Sequence, residues 1–141
     1  MLEIVLAERG RPPFPVELIA FEEDTYLVLS AGNFAREIRQ ETAELLAEMS
    51  QFGSLSLGTV VQKGQRLYAV VHDLDRHPSC DKRVVRKALV EIVRICNEGD
   101  IHSIAIEPLG CIHGKLESEW FLTQLWEVAA TSSLRHIWVY D

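Results

Sequence analysis

The chain is short of cysteine, short of basic charge and without a long apolar run, and each shortage excludes something. Its three cysteines, Cys80, Cys96 and Cys111, are odd in number and none stands in a CxxC pair. That speaks against a disulfide framework and for a reducing, cytoplasmic setting. Lys and Arg total 14 against 21 Asp and Glu, a formal charge of −7, whereas capture of nucleic acid calls for a basic surface. The local basic group Lys82, Arg83, Arg86 and Lys87 reads as the solvated face of a helix. No apolar stretch approaches the ~20 residues that span a bilayer. The opening MLEIVLAERG carries charge too early for a signal peptide. No membrane partner, nucleic-acid partner or cofactor is expected.

What is present is a chain of 141 residues, 48% of them hydrophobic, enough for the core of one α/β domain over 1–141. LEIVLA (2–7) and VELIAFE (16–22) read as strands around the turn-rich RGRPPFP, and TYLVLSAG (25–32) as a further apolar strand. Phe34, Ile38, Leu45, Leu46 and Met49 then fall at helical spacing, which predicts a helix over 33–50 capped by Asn33. LGTVVQ (57–62) and RLYAVVHD (66–73) form a hairpin with Gly64 in its turn. A helix over 81–97 buries Val85, Ala88, Leu89, Ile92 and Cys96, with Asp81 as N-cap and Gly99 as terminator. IHSIAIEP is a strand, Ser118 caps a helix over 118–131, and RHIWVYD is the last strand. Strands alternating with full-length helices predict a three-layer α/β/α sandwich with a mixed sheet.

In open α/β sheets ligands collect outside the carboxyl ends of the strands. Three loops belong there: SAGN (Ser30–Asn33), HDLDRHPSCD (72–81) and LGCIHGK (109–115), each leading into a helix. Backbone N–H groups and the helix dipole favour an anion at such places. Gly110 and Gly114 are also the residues a sharp corner would need for its own sake.

The succession GSLSLGTVVQKGQRLYAVVHDLD, helix, IHSIAIEPLGCIHG, helix, LRHIWVYD resembles the macro domain family over about residues 25–141, and LVLSAGN resembles its AIVNAAN signature. The resemblance implies a cleft for ADP-ribose or a related phosphate-bearing nucleotide. Asn33 corresponds to the second Asn of the signature, which orients the distal ribose, and Ser30 replaces the first, with Gly32 between them. Gly110, Cys111, Ile112, His113 and Gly114 correspond to the diphosphate loop, and Tyr140 to an aromatic that stacks on adenine. His72, at the end of a central strand, is either a ligand contact or a buried, hydrogen-bonded histidine.

The chain also departs from the pattern. VELIAF holds no Asp for the adenine amine, no glycine run follows Asn33, and Ile112 stands where a glycine would let backbone approach phosphate. The expectation is therefore a module that binds a nucleotide or anion, without efficient ADP-ribosyl hydrolase activity. The alternatives are an interaction protein with a relic cleft and a weak ADP-ribosyl or phosphoester hydrolase. Cys80, His72, His77, Cys111 and His113 would approach one another at the strand ends, but H-x4-H-x2-C with C-x-H is no established zinc pattern. A metal-free cleft is expected.

Overall fold

The computed structural model describes residues 2–25, 56–73, 80–112 and 114–140. The expected helix over 33–50 and all of the expected strand 25–32 beyond Thr25, which forms a turn, lie outside them.

The strands are β1 (Glu3–Ala7), β2 (Leu18–Asp24), β3 (Val60–Lys63), β4 (Arg66–His72), β5 (Ser103–Ile106) and β6 (His136–Tyr140). They form one mixed six-stranded sheet in the order β1-β6-β5-β2-β4-β3. The pairs β1–β6, β6–β5, β5–β2 and β2–β4 are parallel, and only β3 runs against its neighbour. The β3–β4 hairpin turns on Gly64 at φ +60°, as its sequence requires. The first four residues of β2 and the middle of β4 are continuous apolar runs because these strands lie inside the sheet, where both faces are covered. Between them the register jumps from Glu23↔Val70 to Asp24↔His72, so β4 carries one extra residue and bulges beside the strand end.

Helix α1 (Lys82–Glu98) starts as predicted: the Asp81 carboxylate accepts from the Val84 N–H at 3.0 Å. Val85, Ala88, Leu89, Ile92, Val93 and Cys96 are its buried face. It ends at Gly99, as its sequence predicts. Gly99 caps the helix at φ −90°, and the left-handed position falls on Asp100 at φ +52°. Helix α2 (Ser118–Ala129) differs at its start, because Ser118 is already helical and the N-cap is Glu117, whose side chain makes no capping bond.

Both helices pack on the same sheet face. Val85, Leu89, Ile92, Phe121 and Leu125 share one core with Leu67, Ile104, Ile106 and Ile137. On the opposite face Ala105, Trp138 and Tyr140 are buried with Phe14, Val16, Ile19 and Phe21 against them. Among the described residues this face carries no helix.

Asp81→Ala removes the side-chain cap of α1 and should cost about 1 kcal/mol. Urea unfolding reads this as a lower midpoint at unchanged slope.

Candidate functional site

Because five strands run the same way, their carboxyl ends line one edge of the sheet. The side chains there are unusually acidic for a buried place. Glu22, Glu23, Asp24, His72 and Glu107 are all buried. Charges so placed require partners, since desolvation otherwise disfavours them strongly. His72 Nε2 pairs with Glu22 Oε1, both side chains fully buried. Glu23 accepts from the Asp24 N–H at 3.0 Å, and the Thr25 N–H donates to the His72 carbonyl at 3.0 Å. Glu107, the residue after β5, accepts from the Glu22 N–H and from Arg9 Nη2, each at 3.4 Å.

Arg9 comes from the turn after β1, and its guanidinium lies over the Tyr140 ring, 4.9 Å from the centroid. Burial pushes the Glu107 carboxyl up to about 7; Arg9 and the Glu22 amide pull the other way and lose. Burial also pushes the Tyr140 phenol far up, with Glu107 adding and Arg9 opposing. The Tyr140 hydroxyl is buried and makes no hydrogen bond among the described residues.

The loop between β5 and α2 closes on itself. The Cys111 N–H donates to the Pro108 carbonyl at 3.0 Å and the Leu116 N–H to the Gly110 carbonyl at 3.1 Å. Gly110 sits at φ +80°, and a Cβ there would lie 2.6 Å from Leu116 Cδ1 and 3.1 Å from Cys80 Sγ. A Cβ on Gly114 would lie 2.4 Å from the Gly110 oxygen and 3.3 Å from His72 Cε1. Both glycines are thus required by close approach within the loop and against the neighbouring strand end. The approach of Cys80 to Gly110 brings the segment entering α1 against this loop. Ile112 projects outward, 41% exposed.

A cavity of about 370 Å³ opens beside the loop, between the ends of β1 and β6 and the first turn of α2. Leu6, Ala7, Pro108, Ser118, Phe121 and Tyr140 line it. Its volume lies within the range of small-molecule sites, and its walls are mainly apolar. Tyr140 on β6 and His72 on β4 are three strand spacings apart, roughly 14 Å. The edge is therefore long enough for an extended ligand.

Of the residues singled out from sequence, His72, Gly110 and Gly114 come together, Cys111 and Ile112 belong to the same loop, and Tyr140 borders the cavity. Ser30, Gly32, Asn33 and His113 lie outside the described residues, as does His77. Among the described residues no three His, Cys, Asp or Glu side chains form a metal-holding group. Burial holds Cys80 near about 12 and Cys111 near about 11, so both are protonated thiols at neutral pH.

Sequence reasoning missed Glu22, Glu23, Asp24, Glu107 and Arg9. The available signal was FEED, an acidic run closing an apolar strand, and a Glu directly after IHSIAI.

Glu107 makes a stability prediction whose sign is unusual for a carboxylate. Its folded value lies above its ordinary 4.5, so the folded state holds a proton that the unfolded state has lost. This contribution is complete at low pH and fades as pH rises from about 4.5 through about 7. Glu107→Gln should therefore gain up to roughly 3 kcal/mol on the wild type between pH 4 and pH 8. Parallel denaturation curves at the two pH values measure the difference. Gly110→Ala should lose roughly 1–3 kcal/mol at either pH, since neither its φ nor its neighbours admit a side chain.

Comparison with known proteins gives a result in structure alone. No family model matches the chain, and no curated protein is significantly similar to it in sequence. Solved structures are similar over the whole chain. The macrodomain of Mycobacterium tuberculosis DarG superposes with a TM-score of 0.79 at 16% identity, covering 100% of this chain and 99% of that one. The macrodomain of Thermus aquaticus DarG gives 0.73 at 21% identity, covering 100% and 98%. A macrodomain variant from Oceanobacillus iheyensis with ADPR gives 0.72 at 14% identity, covering 99% and 85%. At such identities the likeness is one of architecture: this chain is a divergent sequence carrying the macrodomain fold.

Proposed function

We propose that the chain is a macro-type binding module that takes an ADP-ribose-like nucleotide, or a smaller phosphate-bearing molecule, along the edge formed by the strand ends. The observation that carries this reading is the Gly110–Gly114 loop. It turns tightly between β5 and the start of α2, against His72, at the edge where the parallel strands end. A phosphate at that corner would meet backbone N–H groups and the positive end of a helix dipole. The cavity lined by Pro108, Phe121 and Tyr140 has room for the organic part of such a ligand. The ADPR carried by the Oceanobacillus macrodomain supports the same choice of ligand. In this reading Ser30, Gly32, Asn33, His72, Gly110, Cys111, Ile112, His113, Gly114 and Tyr140 are the contacts.

Efficient ADP-ribosyl hydrolysis is not part of the proposal. Among the described residues His72 is the histidine that approaches the loop, and its Nε2 is already paired with a buried carboxylate. A general base has to reach the proton it removes. A second reading, an interaction protein whose cleft is a relic, is favoured by one observation: Tyr140 is only 4% exposed and His72 is fully buried.

A thermal-shift series with ADP-ribose, ADP, NAD and inorganic phosphate separates the two. Ligand at about 100 times its dissociation constant stabilises the folded chain by about 2.7 kcal/mol, a rise of several degrees. ADP-ribose should give the largest shift, and Gly114→Ala should diminish it. Absence of any shift, with backbone amide resonances of Gly110 and Gly114 unmoved by ADP-ribose, leaves the relic reading.

A further inference from the structure

We propose that Arg9 is a gate over the aromatic end of the cleft, latched shut by Glu107. Its guanidinium occupies the ring face of Tyr140 that a planar base would need, so such a ligand can stack there only after Arg9 swings out.

The geometry is that of a cover over a buried ring. Tyr140 is 4% exposed, while the Arg9 side chain above it is 52% exposed. From its own strand Trp138 leans on the same ring, with centroids 5.2 Å apart and planes at 50°. An arginine over an aromatic face is held by the ring quadrupole, and at a half-exposed site that hold is weak. The second tether is Glu107, which is buried and whose Oε1 lies 3.4 Å from Arg9 Nη2. The tether has a fixed base, because Glu107 Oε2 accepts from the Glu22 N–H in β2. Arg9 itself stands in a turn outside any strand, so its side chain can leave without breaking the sheet. Arg11 is poorly placed to replace it, being paired with Glu8 at 3.9 Å.

The groups facing Glu107 are Arg9 from the turn after β1, Glu22 from β2 and Tyr140 from β6; His72 of β4 is engaged with Glu22. Of these Arg9 is the cation, and it depends on Glu107 being ionised. Burial brings that ionisation to about 7, so the latch loosens across the neutral range as pH falls.

The ligand part of this inference rests on the binding proposed above, whereas the gate can be read without ligand. In proton NMR of the free protein the Arg9 side-chain resonances should be displaced by the Tyr140 ring at pH 8. They should return toward ordinary arginine positions at pH 6, and in Glu107→Gln at both pH values. No ring displacement at pH 8, or a displacement indifferent to both pH and Glu107→Gln, overturns the gate.

Titration with ADP-ribose then tests its consequence. Arg9→Ala, a change in a half-exposed turn residue, should bind at least about threefold more tightly than wild type, since the competent fraction scales the apparent affinity. Wild-type affinity should rise from pH 8 to pH 6, and that of Arg9→Ala should not. Weaker binding by Arg9→Ala makes Arg9 a ligand contact and refutes the gate. If neither protein binds ADP-ribose while the Arg9 resonances behave as expected, the ligand assignment fails and the gate stands.

Discussion

The parallel insertion of β2 between β5 and β4 is the constraint on which everything else depends. It joins strands distant in sequence, and it requires β2 to be apolar on both faces for most of its length. It also delivers the acidic end of that strand, Glu22–Asp24, to the middle of the edge where the other parallel strands finish. Glu107 and His72 then become its neighbours from either side. Without this strand order the same residues would be unrelated surface charges.

Placing four carboxylates in such a position has a cost, and the structure meets it by local pairing. Glu22 is set against His72, Glu23 against a backbone amide, and Glu107 against Arg9 and a backbone amide. Removing one member of a buried pair typically costs ~3–5 kcal/mol, because the other charge is left in low dielectric. Glu107 escapes part of that cost by taking up a proton near neutrality. The same property that makes it a poor permanent anion makes it a releasable tether for Arg9.

The Gly110–Gly114 loop couples the core to the edge. Gly110 packs on Leu116, Cys80 and Val85, and Gly114 on the Gly110 carbonyl and the His72 ring. Cys80, Val85 and Leu116 belong to or rest on the main core. The loop's shape is therefore set by core packing before any ligand arrives, which is the condition for backbone N–H groups to serve as a preorganised anion site. The question left by its sequence, corner or cradle, has a physical answer: the corner is obligatory, and a cradle is what such a corner can additionally provide.

Much of the architecture was legible in local patterns. The alternation and length of the apolar runs gave β1, β3, β4, β5, β6 and both described helices, because burial periodicity is written residue by residue. Asp81 as N-cap and Gly64 as the hairpin turn were readable for the same reason, each being a short-range bond or dihedral. The order of the strands was not, since parallel pairing joins segments far apart and leaves no mark within either one. β2 also read as a strand, over 16–22, but its place inside the sheet did not, and so its FEED terminus did not read as part of a site. Gly99 ended α1 as read, with the left-handed turn on Asp100, but the start of α2 was not decided locally, since it began at Ser118 with Glu117 as cap. The sequence by itself determined the apolar faces of strands and helices and the turn at Gly64. Only the tertiary structure decided which buried charges meet, because electrostatic partners such as Arg9 and Glu107 are chosen by proximity in space and not by spacing along the chain.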